Sequence, residues 1–99
     1  MGADFIRELI DTYLEETPQL LAQLRQALAA GDAEAFRRAA HSLKSTSASF
    51  GALTLSTQAR ELELIAKSGE LTAVGDKIDN LSAAYAQAAQ ALQELKDEP

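Results

Sequence analysis

The side chain best suited to covalent chemistry in this sequence is its single histidine, His41. Arg37 and Lys44 lie four residues before it and three residues after it, so a helix places both on the same side as the imidazole. A neutral imidazole is the majority form near pH 7, because its unperturbed pKa is about 6.5, and one of its ring nitrogens can attack phosphorus. The ammonium of Lys44 would then offset the charge of the phosphoryl oxygens.

Other kinds of reactive site find little support in the residue types. The chain has no cysteine, so thiolate metal sites and cysteine nucleophiles are excluded. No serine lies in the glycine pattern of a nucleophile elbow. A metal site on this helix would need a second histidine or a carboxylate cluster, and the sequence neighbours of His41 are cationic, so no metal site is expected.

Charge is distributed unevenly along the chain. The 9 basic and 15 acidic residues give a net charge of -6, which disfavours a nucleic-acid partner. Residues 35–60 nevertheless carry four basic side chains and no acidic one, or +4, which leaves 5 basic and 15 acidic residues, or -10, in the rest of the chain. This segment suits an anionic group or an acidic partner, although an ordinary solvated helix face is an equally simple explanation.

The composition predicts an all-α fold. Of the 99 residues, 53 are Ala, Glu, Lys, Leu or Arg, and only 11 are Val, Ile or Thr. Residues 1–99 make one domain, too small to combine a nucleotide-binding and a substrate domain, which excludes an autonomous kinase or ATPase. The longest apolar runs are three or four residues, so no membrane insertion is expected. We expect a monomeric, cytoplasmic domain.

Helix start and stop signals divide the chain into five predicted helices. A short N-terminal helix, about 4–16, ends at Thr17-Pro18, where Thr17 can cap the second helix and Pro18 can begin it. The second helix ends at Gly31, and Asp32 caps the third. The His-bearing helix covers about 32–50, and two further helices cover about 52–67 and 72–96. Four long amphipathic helices with short connections predict an up-down-up-down four-helix bundle, with the short additional N-terminal helix across one end. A long coiled coil is disfavoured because glycines interrupt the pattern.

The His-bearing helix has a buried stripe of residues at four- and three-residue steps: Phe36, Ala40, Leu43, Ser47 and Phe50. On a helical wheel His41 falls roughly 140° from the centre of this stripe and therefore faces solvent. The residues one and two turns further along this side, Ser45 and Ala48, are small. The imidazole is therefore open to approach by a phosphoryl group on another macromolecule.

These residues resemble the histidine phosphotransfer (HPt) family of two-component phosphorelays. The similarity rests on the stretch from Ala40 to Ala52, and the matching positions are His41, Leu43, Lys44, Ser47, Gly51 and Ala52. The chain departs from the pattern at Ser45, where many members have glycine. We expect this difference to affect the choice of partner more than the ability of the domain to carry a phosphoryl group.

The resemblance implies a phosphocarrier that is not itself an enzyme. The phosphoryl group would come from an aspartyl phosphate on a response-regulator receiver domain, rest on His41 and pass to a second receiver domain. Magnesium and the catalytic acidic residues would belong to the receiver, and this domain would need no cofactor. The chain could also be a fragment of a hybrid sensor histidine kinase.

The family also implies a receiver-docking surface around the His-bearing helix, with an apolar patch on the N-terminal helix. Arg37, Arg38, Ser45 and Ala48 are the candidates near His41, although the arginines could serve only solubility. Phe5, Ile6 and Leu9 are the candidates for the patch, although they could instead seal the end of the bundle. The alternative function is a helical adaptor or inhibitory bundle that binds a signalling partner without carrying phosphate.

Overall fold

The computed structural model describes residues 2–49, 52–69, 71–72 and 74–97, and in these ranges the chain forms four α-helices and no strand. The helices are α1 (Gly2–Ala30), α2 (Ala33–Ser49), α3 (Leu53–Lys67) and α4 (Gly75–Asp97). The all-α prediction is confirmed. Phe50 and Gly51, predicted to end the His-bearing helix, lie outside the described residues.

The helices form an antiparallel bundle in which α1 and α4 close the ring. Each helix packs on its neighbours in sequence, and α4 packs on α1. Arg25 pairs with Asp79 and Asp11 with Lys96, so the start of α1 lies beside the end of α4. The up-down-up-down order is therefore as predicted.

A tight connection joins α1 to α2. Gly31 has a φ of 68°, a left-handed conformation that glycine adopts without steric cost, and the Asp32 carboxylate accepts a hydrogen bond from the backbone N–H of Ala35 at 3.0 Å. This glycine stop and aspartate cap follow the sequence prediction.

The core lies between the four helices, and each helix contributes large apolar side chains to it. The fully buried side chains include Tyr13, Leu24, Phe36, Leu43, Leu62, Ile78 and Leu81. Because α2 and α3 are shorter than α1 and α4, the apolar stripes of the two long helices continue past the ends of the short ones. Near those ends Leu9 and Leu95 are exposed. None of the helices described is long and apolar enough to cross a membrane.

The separate short N-terminal helix is the part of the fold prediction that is wrong. α1 continues through Thr17 and Pro18 as one helix of 29 residues. Thr17 is fully buried in the helix interior and does not act as a cap between two helices. The helix at the other end of the chain also differs, since α4 starts at Gly75 and not at Thr72.

A contact from α4 explains how α1 accommodates its proline. Proline has no N–H, so the carbonyl of Leu14, four residues before Pro18, loses its helical donor. The Tyr85 hydroxyl of α4 donates a hydrogen bond to that carbonyl at 3.3 Å. The Tyr85 ring also packs edge-on against Tyr13, with 5.9 Å between ring centroids. Tertiary structure thus satisfies the backbone group that the proline leaves without its usual partner.

The hydroxyl of Tyr85 should matter only while residue 18 is proline. We expect Tyr85→Phe to lower the free energy of unfolding by about 1 kcal/mol, because it removes the donor to Leu14 and keeps the ring. In a Pro18→Ala background the alanine N–H restores the helical hydrogen bond, so the same substitution should cost much less. Urea unfolding of the four proteins of this double-mutant cycle measures the coupling. An equal cost of Tyr85→Phe in both backgrounds would contradict this account.

Candidate functional site

His41 lies near the middle of α2 and presents its imidazole at the surface. Its side chain is 57% exposed, while the stripe residues Ala40 and Leu43 on either side are fully buried. The helical wheel therefore places the imidazole correctly.

A glutamate on the neighbouring helix holds both His41 and Lys44. The Nδ1 atom of His41 lies 2.7 Å from Oε2 of Glu63, and the Lys44 ammonium donates a hydrogen bond to Oε1 of Glu63 at 2.8 Å. The carboxylate thus uses one oxygen for the imidazole and the other for the ammonium. The Lys44 side chain is 29% exposed, whereas that of Glu63 is only 7% exposed.

The environment of Glu63 favours its charged form. The hydrogen bond from Lys44 lowers the pKa of this carboxyl group most, burial opposes the shift, and the hydrogen bond with His41 lowers it further, so that the pKa lies below its ordinary value. At neutral pH Glu63 is therefore a carboxylate, which can only accept hydrogen bonds.

This carboxylate determines which nitrogen of His41 carries the proton. Because Glu63 can only accept, Nδ1 must be the donor at the 2.7 Å contact. A neutral imidazole protonated at Nδ1 has its lone pair at Nε2. In the neutral ring, Nε2 is therefore the nitrogen with the free lone pair.

Sequence reasoning missed Glu63, because it looked for partners of His41 only on the same helix. The segment without acidic residues ends at Arg60, three positions before Glu63. The antiparallel pairing of α2 and α3 could have predicted this contact, because residues at similar distances from the turn face each other across a helical hairpin. The same pairing brings the Ser56 hydroxyl to the Lys44 carbonyl, to which it donates at 3.1 Å.

The other predicted residues near His41 lie on the outer side of α2. Arg38, Ser45 and Ala48 are exposed, and Arg37 is partly exposed. Arg37 donates to the carboxylate of Glu34, one turn earlier, at 2.7 Å. Part of its charge is therefore already compensated within the helix.

The three apolar residues predicted for a docking patch are on the surface. Phe5, Ile6 and Leu9 are 62%, 50% and 42% exposed, so they do not seal the end of the bundle. They lie apart from His41, near the start of α1. Phe5 is eighteen residues, or five helical turns, from Gln23, which lines the groove between α1 and α2 next to Ser42. The patch therefore continues the side of α1 that faces α2.

The residues described offer no cluster of three or more histidine or acidic side chains that could hold a metal ion. Around His41 the groove contains the single carboxylate of Glu63, and that group already binds Lys44 and the imidazole. The hydrogen bonds of Glu63 therefore orient the imidazole of His41.

Comparison with protein families shows what the chain as a whole is similar to. The family model of the Hpt domain matches residues 8–98. The chain belongs to the Hpt domain family. Among solved structures, this Hpt domain is similar to histidine-containing phosphotransfer protein B (HptB) from Pseudomonas aeruginosa PAO1, with a TM-score of 0.88 and 33% sequence identity over 91% of this chain and 78% of that one. A comparison with curated proteins gives no match in sequence.

Glu63 should make the stability of this Hpt domain depend on pH. Because its native pKa is lowered, its contribution is fully present above the ordinary value of 4.5 and is lost as the pH falls through the native pKa. We expect the difference in unfolding free energy between wild type and Glu63→Gln to shrink as the pH falls from about 5 to about 3. Urea unfolding from about pH 3 to about pH 7, which spans the range in which carboxylates titrate, measures this difference. A difference that stays constant down to about pH 3 would show that Glu63 has no lowered pKa.

Proposed function

We propose that this Hpt domain accepts a phosphoryl group on His41 from the aspartyl phosphate of a receiver domain and passes it to the aspartate of another receiver domain. The hydrogen bond between Glu63 and Nδ1 of His41 is the observation that carries this proposal, since it leaves Nε2 available at an exposed position. In this role the domain is a carrier and the receiver supplies the remaining chemistry.

The forward step needs no proton to leave the imidazole. The Nε2 lone pair forms a bond to phosphorus, and the bond from phosphorus to the aspartyl oxygen breaks, with its electron pair returning to the aspartate as a carboxylate. The ring then carries a phosphoryl group on Nε2 and a proton on Nδ1. In the reverse sense, an aspartate oxygen attacks the phosphorus and the electron pair returns to Nε2.

Glu63 supports this step electrostatically. As Nε2 donates its electron pair, positive charge develops on the ring, and the carboxylate 2.7 Å from Nδ1 stabilises that charge. The same hydrogen bond fixes the orientation of the ring. Because Glu63 is held in a buried position on α3, little reorganisation is needed when the charge forms.

Lys44 has two roles in this proposal. Its ammonium keeps Glu63 ionised through the 2.8 Å hydrogen bond, and it brings a positive charge close to the imidazole. A lysine ammonium has three donors, so the contact with Glu63 leaves others for the phosphoryl oxygens. Magnesium would be held by the receiver domain, as the family resemblance implies.

Phosphate transfer to variants of this domain tests the proposal. We expect wild type, incubated with isolated receiver domains that carry a ³²P-labelled aspartyl phosphate, to take up label that is acid-labile and alkali-stable, as a phosphoramidate is. His41→Gln should take up none, because it lacks the nucleophile, and Lys44→Ala should take up label about tenfold more slowly while circular dichroism shows an intact helical fold.

Two results would overturn the assignment. Equal labelling of His41→Gln and wild type would place the phosphoryl group elsewhere. Binding of a receiver domain without any transfer to wild type would instead favour the adaptor function. Transfer from a hybrid sensor kinase's receiver would identify one possible donor, and the return of label to a second receiver would establish the relay.

We further propose that the apolar patch of Phe5, Ile6 and Leu9 contacts the receiver. α1 and α2 are level at the hydrogen bond between Tyr13 and Ser47, and Phe5 lies eight residues before Tyr13, or about 12 Å further along α1. His41 lies six residues before Ser47, about 9 Å in the opposite direction, so Phe5 and His41 are about 21 Å apart along the bundle. The contact surface proposed for the receiver therefore spans about 21 Å. The exposure of all three side chains supports a contact surface.

Loss of the patch should weaken docking without changing the chemical step. We expect Phe5→Ser to raise the KM for the phosphorylated receiver about fivefold, because a large apolar contact is lost, with kcat unchanged. The matched control is Leu64→Ser, which also removes a half-exposed apolar side chain but on α3 and outside the patch. It should leave KM close to the wild-type value. Equal effects of the two substitutions would exclude a specific role for the patch.

A further inference from the structure

One groove beside His41 carries more positive charge than the sequence motif alone indicates. It lies between α2 and α3 and has a volume of about 580 Å³. Its lining includes four cationic side chains and one carboxylate: Arg37, Arg38, Lys44, Lys67 and Glu63. Among the four cations, Lys67, at the end of α3, is the one that sequence reasoning did not identify.

Helix geometry explains why Lys67 joins the groove. It follows Glu63 by four residues, so the two side chains lie on the same face of α3, one turn apart. Because α3 runs antiparallel to α2, this turn leads from His41 toward the start of α2, where Arg38 lies. Arg38 and Lys67 therefore stand on opposite walls of the groove at the same end.

The ion pairs within the groove divide its cations into two groups. Arg37 is paired with Glu34, and Lys44 is paired with Glu63. Arg38 and Lys67 are exposed and form no ion pair within the described parts of the chain. These two charges can therefore act on a partner without first giving up an intramolecular salt bridge.

We infer that Arg38 and Lys67 bind the acidic rim of the receiver's phosphorylation site and fix the direction in which the receiver lies on this Hpt domain. The inference rests on the proposed function. A receiver that holds magnesium beside its aspartate must present carboxylates there, and these complement the two cations. The receiver would then lie with its acidic rim toward Arg38 and Lys67 and an apolar region toward the end of the bundle that carries Phe5.

The arrangement of the two ends makes the surface directional. The cationic end lies about one turn from His41 toward the start of α2, and the apolar patch lies beyond the opposite end of α2. A partner turned by 180° would place its carboxylates at the end where α2 presents Ser45 and Ala48, which are small and uncharged, and its apolar region on the two cations. On α3 that end carries one exposed cation, Arg60, two turns before Lys67 on the same face, against the two cations Arg38 and Lys67 at the other end. Charge and apolar contact thus favour the same orientation.

Charge reversal at Lys67 tests the inference against a matched change on the same helix. Arg60 is also an exposed cation of α3 with no ion pair among the residues described, but it does not line the groove. Lys67→Glu and Arg60→Glu change the net charge equally. The probe is a panel of isolated receiver domains that carry a ³²P-labelled aspartyl phosphate. The readouts are kcat and kcat/KM for phosphoryl transfer to the Hpt domain.

At an ionic strength of about 0.15 M, where the screening length is about 8 Å, we expect Lys67→Glu to lower kcat/KM about fivefold with kcat unchanged. Arg60→Glu should lower kcat/KM less than about twofold. Lys67→Gln should show a smaller loss in the same direction, and the effect of Lys67→Glu should disappear at about 1 M salt.

Three outcomes would overturn the inference, and they differ in meaning. Equal losses for Lys67→Glu and Arg60→Glu would reduce the effect to general attraction by net charge. A fall in kcat for Lys67→Glu would show that Lys67 contacts the phosphoryl group itself and not the rim of the receiver. No transfer to wild type from any receiver would overturn the proposed function as well, whereas in the first two outcomes the carrier role of His41 stands.

Discussion

The bridge that Glu63 forms between the imidazole of His41 and the ammonium of Lys44 is the interaction on which the proposed chemistry depends. A buried carboxylate is stable only when it is paired, and here the pairing with Lys44 supplies that condition. The remaining oxygen then fixes the proton on Nδ1 of His41. One carboxylate thus connects a structural requirement of the fold to the reactivity that we propose for His41.

The rest of the bundle serves to hold α2 and α3 in the register that this bridge requires. The buried residues Ala40 and Ala59 are small, which suits close packing of the helices that carry them. The Tyr13 hydroxyl contacts Ser47 at 3.1 Å and ties α1 to the same helix as His41. Tyr85 stabilises α1 where Pro18 interrupts its backbone hydrogen bonds. The site therefore depends on contacts from all four helices.

The sequence predicts the parts of this structure that depend on local periodicity. The exposed position of His41 follows from the four- and three-residue steps of α2, and the turn at Gly31 and Asp32 follows from known caps. Two features escape local reasoning because residues distant in sequence create them. Glu63 reaches His41 only after α2 and α3 fold back on each other. The carbonyl of Leu14, which Pro18 leaves without its helical donor, accepts a hydrogen bond from Tyr85, 67 residues after the proline.

The tautomer of His41 in the unphosphorylated protein is the most direct test of this account, and the single histidine makes it unambiguous. Long-range ¹H–¹⁵N NMR spectra of the ¹⁵N-labelled domain, recorded at a pH where the ring is neutral, distinguish a protonated ring nitrogen from one with a free lone pair. The account predicts a proton on Nδ1 and a lone pair on Nε2 in wild type. A neutral ring protonated at Nε2, or an equal mixture of the two tautomers, would contradict it.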